Sequence, residues 1–118
     1  MLVGEHPASQ IYVRNKRRTT QAVGMRSFEF DLPGTVSQRE LLTLIARLNA
    51  DAAVHGILVQ LPLPKADRCR RVIARASIRR KDVDGLHPYN MGLLVLKRPA
   101  LRPCTPQGCM TLIARHRR

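Results

Sequence analysis

An almost unbroken apolar run, residues 56–62, constrains the fold of this 118-residue chain more than any other stretch. It is Gly-Ile-Leu-Val-Gln-Leu-Pro, the composition of a strand that is covered on both faces. Pro62 and Pro64 end it, because proline has no backbone N–H to give to a sheet. The run therefore predicts a buried strand of a parallel sheet, with Gln60 near its carboxyl end.

Strand and helix patterns alternate ahead of this run. They predict a strand, a helix, a strand and a helix, over residues 1–3, 8–23, 25–32 and about 37–50. Gly24 is expected to cap the first helix, and Ser37 forms a capping box with Glu40 at the start of the second. This order predicts an α/β fold of three layers with a mostly parallel sheet. Ligands of such sheets bind beyond the carboxyl ends of the strands, so Gln60 is expected to point into a cleft.

A polar turn follows in the second half of the chain. Residues 67–76 favour a helix, with apolar residues on one side and arginines on the other. Lys81-Asp-Val-Asp-Gly85 favours a tight turn, because glycine allows a backbone conformation that other residues resist. Asp82 is expected to serve the turn itself. Residues 87–90 are expected to continue it as a loop.

The last predicted helix begins near Thr105, with threonine at its cap and Pro106 in its first turn. Cys104, just before it, is expected to be buried and not to act as a nucleophile. The helix pattern still runs at residue 118, and residues 1–3 resemble the end of a strand. The fold is therefore expected to be truncated at both ends.

The net charge of +13 comes from 21 lysines and arginines against 8 acidic residues. Such a surface attracts nucleic acid, an anionic membrane or a substrate with several carboxylates, and it is equally typical of a solvated surface with no ligand. The chain lacks aromatic platforms and groove-reading motifs, which disfavours nucleic acid. No segment is long and apolar enough to span a membrane, and the N-terminus has no signal-peptide pattern.

The spacings of cysteine, histidine and glycine residues indicate whether disulfides, a metal site or a nucleotide site are expected. Three cysteines without a C-x-x-C pair favour a reducing cytosol over a disulfide framework. The four histidines form no ligand-spaced cluster, so no metal site is expected. None of the seven glycines falls in a G-x-G spacing, so no nucleotide site is expected within the chain.

Tyr12 and Lys16 are the first candidate site residues. On the predicted helix they lie one turn apart on the same face, which sets an aromatic ring beside an amine. This arrangement suits proton transfer. Such pairs are also common on ordinary helix surfaces, where long side chains cover apolar area.

Four segments together carry a resemblance to a known family: Gly4-Glu-His-Pro-Ala-Ser-Gln-Ile-Tyr-Val-Arg-Asn-Lys16, Gly56-Ile-Leu-Val-Gln-Leu-Pro-Leu-Pro64, Lys81-Asp-Val-Asp-Gly85 and Arg102-Pro-Cys-Thr-Pro106. In that order they resemble the catalytic domain of the bifunctional methylenetetrahydrofolate dehydrogenase/methenyltetrahydrofolate cyclohydrolase family. The resemblance covers nearly the whole chain. It implies that residues 1–118 are a partial folate-binding catalytic domain, and that NADP binds to a Rossmann domain absent from this chain.

The resemblance also implies roles for individual residues. Lys16 matches the catalytic lysine that transfers protons in the cyclohydrolase step, a role helped by burial and neighbouring cations. Tyr12 matches the residue that packs on the folate rings, and Gln60 matches one that hydrogen-bonds the lysine region and tunes it. Asp84 matches the carboxylate that binds the polar edge of the pterin. The implied catalytic residues are Lys16, Gln60 and Tyr12. The implied substrate-binding residues are Tyr12, Val13, Arg14, Asn15, Lys16, Val59, Gln60, Leu61 and Asp84.

The implied activity is the oxidation of 5,10-methylenetetrahydrofolate with NADP, followed by hydrolysis of the methenyl product to 10-formyltetrahydrofolate. The implied substrate is a folate, with or without a polyglutamate tail that the basic surface would attract. The family acts in cytoplasmic one-carbon metabolism and purine biosynthesis, and it forms homodimers mainly through the Rossmann domain. Two alternatives are an inactive truncated remnant of this enzyme and a basic nucleic-acid-binding module.

Overall fold

The computed structural model describes residues 1–64 and 78–116. Within these ranges the chain forms two short strands and four helices. They are β1 (Leu2–Val3), α1 (Pro7–Ala22), β2 (Asp31–Leu32), α2 (Gln38–Ala50), α3 (Pro88–Val95) and α4 (Cys104–His116). The α/β class and the parallel sheet are confirmed, and the predicted helix over residues 67–76 lies outside the described residues.

The two strands pair in parallel, with Leu2 opposite Asp31 and Val3 opposite Leu32. The predicted strand over residues 25–32 is therefore mostly wrong, since only its last two residues join the ladder. Phe28 is 45% exposed. The alternation of apolar and polar residues over 25–30 thus does not mark a buried face of a sheet.

The predicted buried strand over residues 56–62 is wrong, because the run forms no strand and only Ile57 within it is buried. The run nevertheless lies between β1 and the polar turn. An isolated parallel bridge joins Ile57 to Asp82. On the other side, the Met1 amine donates a hydrogen bond of 2.7 Å to the Leu58 carbonyl, and the Gln60 N–H donates one of 2.9 Å to the Met1 carbonyl.

Helix α2 supplies three core residues, Leu41, Ile45 and Leu48, whereas α1 packs beside β1. Helix α1 begins at Pro7, one residue earlier than predicted, and Gly24 follows it with a φ of +79°. Helix α2 has the predicted capping box: Ser37 Oγ accepts from the Glu40 N–H at 3.1 Å, and Glu40 Oε2 accepts from the Ser37 N–H at 2.8 Å. Two buried clusters pack against α2, formed by Val3, Leu41, Ile45 and Leu63, and by Leu48, Val54 and Ile57.

Two predictions in the second half of the chain are wrong. Residues 88–90 are not loop, because they form the first turn of α3 with Pro88 at its first position and the His87 ring accepting from the Tyr89 N–H. Cys104 is exposed rather than buried, since it begins α4, a helix without a buried residue. Within residues 1–64 and 78–116, no helix is long and apolar enough to cross a membrane.

Candidate functional site

Lys16 lies at the centre of the candidate site. Its Nζ is 4.4 Å from the centroid of the Tyr12 ring, one turn earlier on α1, and 3.9 Å from Asp84 Oδ1. The side chains of Lys16 and Asp84 are 33% and 32% exposed. At this distance and exposure the ion pair adds little stability, because water screens it. The amine is thus held by weak contacts on two sides and open to a ligand on the rest.

The turn that carries Asp84 is held from within by Asp82. The buried Asp82 carboxylate accepts from the His87 N–H at 2.8 Å and from Asn90 Nδ2 at 2.9 Å. Asn90 Nδ2 is also 2.9 Å from the Arg79 carbonyl, so one buried amide joins both sides of the turn. Asp82 therefore serves the turn, as predicted.

Gly85 holds the same turn from the outside. Its φ is +66°, and a Cβ at this position would lie 2.8 Å from the Leu101 carbonyl oxygen. Residues with side chains are strained in this conformation and would also clash here. The backbone of Leu101 and Arg102, which follow α3, thus lies directly against the turn.

Gln60 occupies an unusual environment. Its Nε2 donates to the Leu61 carbonyl at 2.8 Å, whereas its Oε1 is buried and has no hydrogen-bond partner among the described residues. A buried acceptor without a donor costs about 1–3 kcal/mol. The expected hydrogen bond from Gln60 to the lysine region is not formed in this structure. The unpaired oxygen is free to accept one from an amine or a ligand.

A cavity of about 1080 Å³ opens beside Lys16. Of the predicted site residues, it is lined by Tyr12, Val13, Asn15 and Lys16. The rest of its wall is largely apolar, with contributions from Phe28, Phe30, Val54 and Ile57, and it reaches Val83, the neighbour of Asp84. An apolar wall with a few polar groups at one end suits a flat, partly aromatic ligand.

The remaining predicted site residues do not line this cavity. Gln60 and Asp84 are not among its lining residues, although each follows one partner of the Ile57–Asp82 bridge along the chain. Val59 and Leu61 are half-buried and pack against the core clusters, and Arg14 is exposed on α1. The expectation that Gln60 points into the cleft is therefore not met by its side chain.

Arg17 is a residue that the sequence reasoning did not assign. Its guanidinium binds the Asp31 carboxylate and lies 3.4 Å from Glu29 Oε2. The hydrogen bond to Asp31 raises the pKa of Arg17, with a further contribution from the charges of both acids. The carboxylates of Glu29 and Asp31 thus offset the charge of Arg17, the residue after Lys16, and Asp31 links α1 to β2. No local pattern signals this pairing, since the partners lie on different elements.

Metal ligation has no support in the part of the chain that the structure describes. There, no three side chains of histidine, cysteine, aspartate or glutamate lie together closely enough to hold an ion. The groups nearest the Lys16 amine are the Tyr12 ring and the Asp84 carboxylate.

Known proteins match this chain along most of its length. The family model for the tetrahydrofolate dehydrogenase/cyclohydrolase catalytic domain matches residues 1–84. A protein of Nitrobacter hamburgensis called bifunctional protein FolD is 60% identical over 112 residues, which are 95% of this chain and 38% of that protein. This chain thus spans well under half the length of that curated relative.

Solved structures agree. The bifunctional enzyme FolD, a methylenetetrahydrofolate dehydrogenase/cyclohydrolase, from Campylobacter jejuni has a TM-score of 0.89 and 47% identity, over 98% of this chain and 41% of that one. A methylenetetrahydrofolate dehydrogenase-cyclohydrolase from Trypanosoma brucei, solved with NADP cofactor and an inhibitor, has a TM-score of 0.87 and 37% identity, over 96% of this chain and 38% of that one.

Proposed function

This chain belongs to the tetrahydrofolate dehydrogenase/cyclohydrolase family, and on that premise we propose that it binds a tetrahydrofolate derivative beside Lys16 and transfers the protons of methenyltetrahydrofolate hydrolysis. One observation carries the proposal. The Lys16 amine is in contact with both the Tyr12 ring and the Asp84 carboxylate at the edge of a largely apolar cavity. An amine beside an aromatic platform and an acceptor is what a cyclic, nitrogen-rich substrate requires.

The hydrolysis needs a proton acceptor and a proton donor at one place. Water adds to the carbon that bridges N5 and N10, and the bond from that carbon to N5 then breaks. The formyl group stays on N10, N5 gains a proton, and one proton is released overall. Lys16 takes the proton of the attacking water and returns it to N5, which is general acid–base catalysis by one group.

The other residues bind and orient the substrate. Tyr12 packs its ring on the pterin or aminobenzoyl ring, and Val13 and Asn15 add contacts from the same helix. Asp84 accepts hydrogen bonds from adjacent N–H groups of the pterin, since a carboxylate has room for several donors. Gln60 Oε1 accepts from Lys16 or from the substrate, which would satisfy its buried oxygen. Arg14, Val59 and Leu61 complete the substrate-binding set.

NADP is the oxidant that the family's dehydrogenase step requires, and the residues of this chain do not fit it. The sequence has no G-x-G spacing, and α1, which follows β1, begins at Pro7 rather than in a glycine-rich turn. For a full-length protein of this kind we propose both activities, a homodimer and a cytoplasmic role in one-carbon metabolism that serves purine biosynthesis.

An inactive remnant is the second candidate function. Apolar side chains are strongly exposed near the end of the described chain, with Val95 at 78% and Leu96 and Leu112 both at 69%. Surfaces of this kind favour aggregation or dependence on a partner. A cooperative thermal melt together with monomeric sedimentation of the chain would count against a remnant.

Binding of 5-formyltetrahydrofolate, followed by calorimetry, tests the folate site. The chain offers a matched pair of tyrosines: Tyr12 is 48% exposed beneath Lys16, and Tyr89 is 47% exposed beneath Arg79. We expect Tyr12→Ala to weaken binding about tenfold, because a stacked ring is worth about 0.5–1.5 kcal/mol or more, and Tyr89→Ala to leave it unchanged. Equal losses in both variants, or no binding by the unmodified chain, would overturn the proposed site. Mixed with 5,10-methylenetetrahydrofolate and NADP, the chain is expected to form no NADPH.

A further inference from the structure

The side chain of Lys81, the first residue of the polar turn, makes three hydrogen bonds to another part of the chain. Its Nζ donates to three backbone carbonyls, those of Leu48 at 3.1 Å, Asn49 at 2.8 Å and Asp51 at 2.7 Å. The carbonyls of Leu48 and Asn49 are in the last turn of α2, where helix geometry leaves the last four acceptors without partners inside the helix, and Asp51 is the cap that follows. A cation there also complements the negative end of the helix dipole.

The backbone around Lys81 is held as firmly as its side chain. Its carbonyl accepts from the Ile57 N–H at 2.7 Å, and its own N–H donates to the Ile78 carbonyl at 2.7 Å. The Ile78 N–H in turn donates to Asn49 Oδ1 at 3.2 Å. The start of the polar turn is thus fixed to α2 on one side and to residues 56–62 on the other.

We propose that Lys81 is a positioning residue, whose ammonium docks the polar turn on the end of α2 and so sets Asp84 against Lys16. Lys81 lies three positions before Asp84, and its ammonium is directed to α2 rather than to either site residue. The contact it controls is already long for an ion pair, at 3.9 Å, so a small displacement of the turn would separate the two groups. A shift of about 1 Å can cost an enzyme on the order of 10²-fold in rate.

Geometry explains why a lysine occupies this position. An ammonium is a compact group with three donors, and three carbonyls converge on it here. Arginine keeps the charge but spreads its donors over a planar fork, so it cannot point all of them at one place. Lys81→Met keeps the apolar stem and removes the donors. Lys81→Arg therefore keeps the positive charge but not the three converging hydrogen bonds, whereas Lys81→Met loses both.

A carbon-13 NMR experiment tests positioning without relying on activity. In chain labelled at aspartate Cγ, the Asp84 resonance is identified by its absence in Asp84→Asn. We expect Lys16→Met to move this resonance in the otherwise unmodified chain and not in the Lys81→Met background, because the two groups are then apart. Lys97→Met, which removes an exposed lysine after α3, is the control background and should preserve the shift.

The inference rests on the proposed function for its catalytic meaning, and a hydrolysis assay supplies that part. We expect Lys81→Met to lower kcat/KM for 5,10-methenyltetrahydrofolate by about tenfold or more, and Lys81→Arg to lower it less, each at a temperature where its own melt shows it folded. If Lys81→Met does not fold, the NMR experiment and the hydrolysis assay are both performed on Lys81→Arg.

The outcomes separate the two proposals. An Asp84 resonance that still responds to Lys16→Met in the Lys81 variants would overturn the positioning role, whatever the activity. Loss of that response in a chain without hydrolysis would support positioning and contradict the proposed function. A lower melting temperature with kcat/KM and the resonance unchanged would show that Lys81 only stabilises α2.

Discussion

Lys16 Nζ and Asp84 Oδ1 lie 3.9 Å apart although they belong to distant segments of the chain, a helix near its start and a turn after residue 80. The helix places Lys16 one turn after Tyr12, and the turn is fixed by Asp82 and Gly85. Helix α1 and the polar turn, which are far apart in the sequence, therefore come together at the Lys16 amine. Their meeting, rather than any one motif, is what supports a substrate site here.

Replacing Asp84 by asparagine is expected to weaken binding of 5-formyltetrahydrofolate by about tenfold or more. The amide presents N–H donors to N–H donors of the pterin, and a hydrogen bond to a charged group is worth about 1.5–3 kcal/mol. Titration calorimetry measures the change. Glu5→Gln removes the same charge from an exposed position before α1 and should bind as the unmodified chain does. Equal affinity in both variants would exclude Asp84 from the site.

Gly85→Ala is expected to lower the free energy of unfolding by about 1–3 kcal/mol, because alanine is strained at a positive φ and its Cβ would meet the Leu101 carbonyl. Gly92→Ala is the control, since nothing lies within 4 Å of its Cβ position inside α3. Alanine there should stabilise by about 0.5–1 kcal/mol. Urea denaturation of the two variants gives both values. Similar shifts of the same sign would show that the turn tolerates a side chain.

The capping box of α2 is expected to make stability depend on pH in the acidic range. Hydrogen bonds from the Ser37 hydroxyl and then from its backbone N–H lower the pKa of Glu40 from its ordinary value of 4.5. Because the folded pKa is the lower one, the stabilisation is complete above about pH 4.5 and is lost as the pH falls through the folded pKa. Unfolding measured against pH should therefore show a steeper acidic decline in the unmodified chain than in Glu40→Gln. Parallel curves would rule out this contribution.

The sequence predicts local structure well where one segment contains the whole cause. Ser37 and Glu40 lie within one turn of helix, so their capping box is predicted correctly. Gly24 has the positive φ expected of a glycine at a helix end, but the cap of α1 is Val23, one residue earlier than predicted. The loop predicted over residues 88–90 is wrong for a reason that is also local, because proline is common at the first position of a helix and Pro88 occupies that position. Tyr12 and Lys16 share a face for the same reason.

Features that depend on packing between distant segments cannot be predicted from local sequence patterns. Residues 25–30 alternate as a strand does, but only Asp31 and Leu32 pair with β1, and Phe30 adds a single carbonyl that accepts from the Leu2 N–H. The pairing of Arg17 with Asp31 and the docking of Lys81 on α2 join elements far apart in the chain, which no spacing rule encodes. The unpaired oxygen of Gln60 is likewise a property of its surroundings.

Hydrolysis of 5,10-methenyltetrahydrofolate by the Lys16→Met variant tests whether Lys16 is the proton-transfer group. The loss of the methenyl chromophore is followed for the unmodified chain, Lys16→Met and the matched control Lys97→Met. A general acid–base group contributes about 10²- to 10⁴-fold to a rate, so Lys16→Met should lose activity by that factor while Lys97→Met keeps it. If Lys16→Met hydrolyses the substrate as fast as the Lys97→Met control, Lys16 does not transfer the proton and the account is wrong.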